Sequence, residues 1–250
     1  MKKIILLILI FLPIILKAQT EETLYRYIDL SRGININLSN PQFDNSIGLL
    51  SGTQTISSFI KGRFSYFFNS RWGTYADLKF YFVTFSESNL SNFLPKIYEN
   101  PYYKFDEFTI NEKHATLGDL TIGATYRIEN KNWSVRPRIG FGIGEVAGRS
   151  TRFSVKENGT NNIYKINYLA GNKFLDVIDL PIIKTGINLN YKIDELNLSL
   201  DIGYTQFIKK VSYTYQVKDA YTEKIIDNKK IYSKALPSNL DIGLGLGLNF

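Results

Sequence analysis

The chain has 250 residues, of which 44% are hydrophobic and 14% aromatic, and its formal net charge is +7. It contains no cysteine and one histidine, which excludes a disulfide framework and the Cys/His clusters that hold transition metals. The basic excess is small and forms no run, so the charge gives no support to nucleic-acid binding. We expect neither a cofactor nor a nucleic-acid partner.

The first 18 residues have the three parts of a secretory signal peptide. Two lysines form a positive start, residues 4–16 form an apolar core, and Ala18 is the small residue before a cleavage site. The core is interrupted by Pro13 and is shorter than the roughly 20 residues that a membrane helix needs. We therefore predict a signal peptide over residues 1–18 and cleavage before Gln19. An uncleaved N-terminal anchor is the alternative.

Eight segments alternate between apolar residues and polar or small residues, which indicates strands with one apolar face. Hairpins with short turns are predicted at 60–85, 120–143 and 183–204, and single strands at 33–39 and 238–250. Long polar links separate these units. An even number of strands of about ten residues is typical of a bacterial single-chain barrel. The pattern predicts an all-β, eight-stranded antiparallel up-and-down transmembrane β-barrel with long extracellular loops.

Arg32 sets the predicted start of the first strand. Extending that strand backward places Arg32 on the lipid-facing parity. An arginine at mid-bilayer costs about 2–4 kcal/mol, but little near the interface. We therefore expect a periplasmic lead over residues 19–31 and a barrel over residues 32–250.

The last strand carries the most specific pattern. One parity is small or polar, and the other is apolar and ends on an aromatic residue. The apolar positions are Ile242, Leu244, Leu246, Leu248 and Phe250. This pattern resembles the C-terminal assembly signal of outer-membrane barrels. The resemblance implies a location in the cell outer membrane, with outer-membrane lipid and the barrel-insertion machinery as partners. A core strand of a soluble domain is the alternative.

A soluble β-sandwich would also show alternation. Two features favour the membrane barrel instead. Charges and glycines occupy the strand centres of the polar parity, as they do in a barrel interior. Trp72 and Trp133 each follow a short turn, where an interfacial aromatic belt would place them.

The pattern over residues 32–250 resembles the small outer-membrane β-barrel families, which include opacity-type and PorT-like porins. The segment DLPIIK at 179–184 is similar to a strand opening of the PorT-like group, and GLGLGLNF at 243–250 is similar to its ending. This resemblance implies the barrel fold. It leaves the function open, because such families include adhesins, structural barrels, narrow pores and parts of secretion systems.

The inward parity carries charges of both signs. An eight-stranded barrel is just wide enough for its own side chains to fill it, and buried charges need partners. We predict that the lumen is closed by charge pairs drawn from Arg63, Asp77, Lys79, Arg138, Asp201 and Asp241. A narrow anion-favouring path is the alternative, because basic residues outnumber acidic ones on this parity.

The sequence shows no catalytic centre. The glycines at 140–144 and 243–247 have a period of two and do not open a helix, so they are not a dinucleotide fingerprint; we expect them to relieve crowding inside the barrel or to allow sharp coiling. His114 lies near Glu112 and Asp119, without a second histidine or a serine elbow. We predict that the protein is not an enzyme. A barrel-rim enzyme acting on lipid or protein is the less favoured alternative.

The outer links are long enough to carry strands beyond the membrane. Asn158-Gly159 is a hairpin-turn signal between 152–155 and 163–168, and 211–217 could pair with 224–232. We expect a protruding sheet whose edges recruit a partner strand or stiffen the loops. The leading function is therefore structural or partner-binding through the extracellular loops. An extracellular or secretion-system protein is the candidate partner.

Overall fold

The computed structural model describes residues 26–39, 56–84, 103–110, 114–147, 151–170, 177–193, 196–233 and 235–249. The predicted signal peptide lies outside these residues and stays a prediction. The described strands are β1 (Arg26–Ser39), β2 (Ile56–Phe67), β3 (Trp72–Thr84), β4 (Tyr103–Ile110), β5 (His114–Tyr126), β6 (Ile128–Asn130), β7 (Trp133–Ala147), β8 (Thr151–Glu157), β9 (Ile163–Ala170), β10 (Val177–Ile193), β11 (Leu196–Phe207), β12 (Ser212–Asp219), β13 (Ile225–Tyr232) and β14 (Ser238–Asn249). Within the described ranges there is no helix long and apolar enough to span a membrane.

Eight of these strands form a closed antiparallel barrel. Their order is β1-β2-β3-β5-β7-β10-β11-β14, and β14 pairs with β1 to close the ring. The short strand β6 continues the line of β5 beyond Arg127 and also pairs with β7. The predicted fold class is confirmed.

Short turns join the barrel hairpins at one end of the barrel. In the turn between β2 and β3, the side-chain oxygen of Asn69 accepts hydrogen bonds from the backbone N–H groups of Arg71 (2.9 Å) and Trp72 (2.6 Å). This arrangement is why asparagine favours such turns. The predicted turn at 194–195 lies outside the described residues.

The first strand begins six residues earlier than predicted, at Arg26 rather than Arg32. The prediction that the periplasmic lead extends to residue 31 is therefore wrong. Residues 27–31 pair with both β2 and β14, and the inward side chains of Tyr27 and Asp29 are buried and hydrogen-bonded. Arg32 does face outward, opposite Ile60 and Leu244. The paired backbone and the buried polar side chains favour the longer strand despite that arginine.

Glycines make room inside the barrel for large inward side chains. A Cβ atom added to Gly186 would lie 2.7 Å from Nη2 of Arg138, and one added to Gly243 would lie 2.8 Å from the ring of Phe59. Both distances are too short for real carbon contacts. The structure therefore supports the expectation that inward glycines relieve crowding.

The outward side of the barrel is apolar, whereas its inward side is largely polar. Outward side chains remain exposed although they are hydrophobic; examples are Ile34, Phe80, Ile122, Phe141, Ile187, Leu198 and Leu244. Most inward positions next to them hold buried polar or charged groups. This distribution suits a barrel surrounded by lipid hydrocarbon.

A second antiparallel sheet lies beyond the ends of the barrel strands that carry the long links. Its order is β13-β12-β9-β8-β4, and we call it the outer sheet. The predicted pairings of β8 with β9 and of β12 with β13 are confirmed. Gly159 has a φ of 82° in the turn between β8 and β9, a conformation that glycine adopts at little cost. The outer sheet is thus built from three of the long links.

Candidate functional site

A network of paired charges fills the middle of the barrel. Its hub is Asp201, a fully buried residue of β11. One carboxylate oxygen of Asp201 accepts from Arg138 (2.8 Å) and also pairs with Lys61, and the other accepts from Arg63 (2.6 Å). Asn188 donates a further hydrogen bond to Asp201 at 3.3 Å. Three cations, two from β2 and one from β7, therefore converge on one carboxylate.

The network continues towards the outer sheet through alternating charges. Lys184 lies between Asp77 (3.2 Å) and Asp119 (3.1 Å). Lys79 then joins Asp119 (2.9 Å) to Asp241 (3.0 Å). These groups are almost completely shielded from solvent, and each has partners of opposite charge, which is the condition for keeping ions in a protein interior.

Aromatic and amide side chains close the short-turn end of the lumen. The hydroxyl of Tyr27 donates to Asn190 (2.7 Å) and contacts Asp29 (3.0 Å). The guanidinium carbon of Arg136 lies 3.9 Å from the centroid of the Tyr27 ring, which is a cation–π contact. The guanidinium carbon of Arg127 lies 4.4 Å from the centroid of the Phe67 ring, which is a second cation–π contact.

Apolar side chains close the opposite end. Phe59, Tyr81, Val83 and Leu117 form one buried cluster inside the barrel wall. A second buried cluster joins barrel residues to residues at or near the outer sheet; its members are Phe153, Val155, Leu180, Ile182, Phe207, Val211 and Tyr213. The described part of the lumen is therefore filled in three layers: aromatic and amide groups, paired charges, and an apolar lid.

The structure places all six predicted lumen charges inside the barrel. Asp201 forms ion pairs with Arg63 and Arg138, while Lys79 pairs with Asp241. Asp77 lies farther from Arg63, at 3.8 Å, and makes its shorter contact with Lys184. The predicted set omits three members of the network and one further buried carboxylate: Lys61, Lys184, Asp119 and, beside Tyr27, Asp29. The first two are visible on the inward parity, whereas Asp119 precedes the strand predicted from residue 120 and Asp29 falls in the predicted periplasmic lead.

Both tryptophans lie just after short turns and point away from the lumen. Trp72 is 52% exposed and Trp133 is 58% exposed. The ring of Trp72 packs edge-on against Tyr126 at 4.8 Å, and that of Trp133 lies 4.7 Å from Tyr191. This is the arrangement of an interfacial aromatic belt.

The apolar residues of the predicted assembly signal line the outer surface of β14. Ile242, Leu244, Leu246 and Leu248 all remain exposed, and β14 pairs with β11 on one side and β1 on the other. Phe250 lies outside the described residues. His114 begins β5 opposite Thr84, and its neighbour Glu112 also lies outside them.

One side of the outer sheet, which we call the packed face, supplies the lid. Phe153 and Val155 of β8 are buried there, and Tyr164 and Ile166 lie opposite them on β9. Tyr213 of β12 continues the same side. Directly opposed residues of antiparallel strands point to the same side, so these pairs define one face.

The other side, which we call the open face, carries lysines and amides. Lys165 of β9 pairs in register with Lys218 of β12, and Lys156 lies on β8 beside that row. Lys230 lies on β13 opposite Thr214. Between these positions runs a row of amides across three strands: Asn167, Gln216 and Asn228.

A closed ring of eight strands with an apolar exterior, a polar interior and aromatic residues at one rim defines a transmembrane β-barrel of the outer-membrane class. No protein-family description and no curated protein matches the sequence.

Several solved structures show low similarity to this chain. The major outer membrane protein of Thermus thermophilus has a TM-score of 0.45 and 11% identity over 92% of this chain and 100% of that chain. Ail, the attachment invasion locus protein of Yersinia pestis, has a TM-score of 0.42 and 14% identity over 92% and 100%. The outer membrane protease OmpT of Escherichia coli has a TM-score of 0.40 and 8% identity over 92% and 99%. The fold is assigned from the strand register alone.

Proposed function

We propose that this protein is a closed barrel of the bacterial outer membrane that holds its outer sheet at the cell surface, where the sheet binds a partner. The observation that carries the proposal is the three-layered filling of the lumen. An ion crossing it would have to displace the pairs around Asp201 and then the apolar lid at Ile182 and Phe207. Breaking buried pairs costs several kcal/mol, so conduction is strongly disfavoured.

The outer sheet is the part of the molecule that is free to meet a partner. Its edge strand β13 pairs with β12 and with no other described strand. Both Ile225 and Ile226 at the start of β13 are about half exposed, at 48% and 55%. An exposed strand edge and a polar open face are both surfaces through which sheets bind other molecules.

Electrical recording from reconstituted protein tests the closed lumen. We expect no single-channel steps at either polarity from purified barrels in a planar bilayer. Heat-modifiable gel mobility of the same sample verifies that the barrels are folded. Steps with a reversal potential towards that of the anion would instead support the narrow porin, which the excess of lumen cations makes the second candidate.

Labelling of intact cells tests the proposed location and orientation. An amine reagent that cannot cross membranes should modify Lys156 and Lys230, which are exposed on the outer sheet. It should leave Lys79 and Lys184 unmodified, because both are fully buried in the lumen. Labelling of the outer lysines only after cell disruption would contradict a surface location. No catalytic arrangement around His114 is proposed.

A further inference from the structure

Most of the described charges of the outer sheet are sorted between its two faces. The described carboxylates on strands β8, β12 and β13 are Glu157, Asp219 and Asp227, and the alternation of each strand places them on the packed face. The open face carries lysines at 156, 165, 218 and 230 and no carboxylate from those strands. Two positions depart from this sorting: Lys229 pairs with Asp227 on the packed face, and Glu107 of β4 lies opposite Ser154 of the open face. The sorting creates a positive field on the side that faces away from the barrel.

We propose that the open face binds an acidic polysaccharide that retains free hydroxyl groups. This inference rests on the proposed function, because it names the partner of the surface that the barrel displays. Three features of the open face carry it: the line of its lysines, the row of amides between them, and the ion pair that Glu223 forms with one of the lysines.

The lysines form a diagonal line across the sheet. From Lys156 to Lys230 the line crosses three strand spacings and three two-residue steps. With strands about 4.8 Å apart and about 3.4 Å per residue, its length is roughly 25 Å. A flat line of this length suits an extended anionic chain better than a single small anion.

The amide row indicates which kind of chain the face would bind. Asn167, Gln216 and Asn228 lie side by side on neighbouring strands, between the Lys165–Lys218 pair and Lys230. Asn228 is exposed and the other two are half-buried. Amides donate and accept hydrogen bonds, so they match sugar hydroxyls, which can do both. A polymer of phosphates alone offers only acceptors and would leave the amide oxygens without partners.

Glu223 lies beside the middle of the line. It belongs to the turn between β12 and β13, and its carboxylate forms an ion pair with Lys165, with both side chains about half exposed. Lys218 is the other cation close to it. This carboxylate holds the central lysine in place and competes with an incoming anion. A bound sulfate or uronate would take its position beside Lys165.

The open face lies opposite the face that packs against barrel residues, so the barrel does not cover it. The length of the lysine line favours an extended polymer over a single lipid headgroup. A duplex nucleic acid is convex and presents phosphates rather than hydroxyls, so it would leave the amide row unused.

Binding of a lightly sulfated dextran to the full barrel in nanodiscs of zwitterionic lipid tests the proposal. The open-face variant replaces four lysines with glutamine: Lys156, Lys165, Lys218 and Lys230. The control variant removes the same charge elsewhere on the outer part of the molecule, at Lys209, Lys210, Lys224 and Lys229. All eight side chains are exposed or half-exposed, and heat-modifiable mobility verifies that both variants are folded.

We expect the open-face variant to bind about ten-fold more weakly than the wild type, and its affinity to depend less on salt, because fewer counterions are released. The control variant should stay within about three-fold of the wild type, since only long-range attraction is lost. Equal losses in the two variants would overturn the assignment of a site to the open face. So would unchanged affinity in both.

Gln216→Met separates a sugar polymer from a simple polyanion. It should weaken binding of the sulfated dextran about three-fold or more, because one amide hydrogen bond is lost. It should not change binding of inorganic polyphosphate. Equal wild-type affinities for the two polymers, with no effect of Gln216→Met on either, would overturn the polysaccharide assignment. Neutral dextran should not bind.

These outcomes are independent of the electrical recording. If the barrel shows no channel steps and does not bind the sulfated dextran, the proposed closed barrel that holds the outer sheet is retained and the polysaccharide partner is rejected. If the barrel conducts ions but the two lysine variants still differ in dextran binding, the closed lumen is rejected and the polysaccharide site is retained.

Discussion

The buried carboxylate of Asp201 is shared by three cations inside the barrel. Among the described residues it is the acidic partner of both Lys61 and Arg138, and it makes the shortest acidic contact of Arg63. We predict that Asp201→Asn lowers the free energy of unfolding by about 3–5 kcal/mol, because three cations lose their shared counter-charge inside the barrel. Urea titration of lipid-inserted protein, followed by tryptophan fluorescence, measures the change.

Two further variants make that experiment specific. Asp227→Asn removes an exposed carboxylate whose ion pair with Lys229 is 3.5 Å long, and should cost less than about 1 kcal/mol. Adding Lys61→Met to Asp201→Asn should recover part of the lost stability, because one unpaired buried cation is replaced by an apolar chain of similar length. A double variant as unstable as the single one would mean that the charge balance around Asp201 is not what holds this layer.

Glu223 gives a pH-dependent prediction for the outer sheet. Its hydrogen bond and ion pair with Lys165 lower the pKa of this carboxyl below its usual value, with Lys218 acting in the same direction and Asp219 against it. The folded-state pKa is depressed, so the pair is present at neutral pH and is lost only as the pH falls through that lowered pKa. Protonation of Glu223 should then free Lys165 for an anionic ligand.

The Glu223→Asn variant tests, at neutral pH as well as in acid, whether Glu223 competes with the ligand for Lys165. Asparagine tolerates the positive φ of 56° at this position and carries no charge. At pH 7 we expect the variant to bind the sulfated dextran about two- to three-fold more tightly than the wild type. The ratio of the two affinities should approach one as the pH falls through the lowered pKa of Glu223, since sulfate stays ionised while Glu223 becomes protonated. A ratio that does not change with pH would contradict the competition between Glu223 and the ligand.

The sequence predicted the inward charges well because alternation decides the side of every strand residue at once. Arg63, Asp77 and Asp241 needed only the parity of their own strands. The partners needed more: Lys184 lies 107 positions from Asp77 along the chain, and their contact exists only in the closed ring. Strand parity predicts whether a side chain points inward or outward, whereas the register of the closed barrel determines which charged side chains contact each other.

β1 illustrates where parity reasoning failed. The cost of an arginine facing lipid suggested that the strand begins at Arg32, yet the strand extends back to Arg26. A shorter β1 would leave the lower parts of β2 and β14 without a partner strand. Unpaired backbone groups in hydrocarbon cost several kcal/mol each, which exceeds the cost of one outward arginine.

Arg32 should therefore be a place where the barrel can be stabilised. It faces outward at the middle of β1, and no hydrogen bond or ion pair links it to any described residue. We predict that Arg32→Leu raises the free energy of unfolding in lipid by about 1–3 kcal/mol, because a lipid-facing charge is removed. Urea titration of the lipid-inserted variant measures the gain.

Leu244 provides the matched reverse substitution. It lies directly opposite Arg32 on β14 and is 70% exposed. Leu244→Arg should lower stability by a similar amount, because it places a second cation at the same depth. If Arg32→Leu instead destabilises the barrel, then this guanidinium binds a group in the membrane, and the cost assigned to it is wrong.

The outer hairpins were predictable only as pairs of neighbouring segments. Asn158-Gly159 indicated the turn between β8 and β9, because glycine accepts the positive φ found there. The pairings of β9 with β12 and of β8 with β4 join different links, and no local signal in the sequence specifies them. They arise because apolar residues from several links cover the same barrel mouth.

The molecule as a whole combines two units with different tasks. Closure of the barrel depends on eight strands and on the charge network, none of which includes β12 or β13. The hairpin formed by β12 and β13 instead contributes Tyr213 to the lid and two of the four lysines to the open face. Its removal should therefore separate the barrel from its surface function.

Replacing residues 212–232 with a short Gly/Ser turn is the test of this division. We expect the shortened barrel to insert and to keep heat-modifiable mobility, because all barrel pairings remain and a shorter loop costs less closure entropy. It should stay electrically silent, because the ion pairs of Lys79 and Lys184 still fill the lumen and the lid loses only Tyr213. Binding of the sulfated dextran should fall at least as far as in the open-face variant. Channel steps in the shortened protein would show that the lid, rather than the charge network, closes the barrel; failure to fold would show that the outer sheet belongs to the folding unit of the barrel.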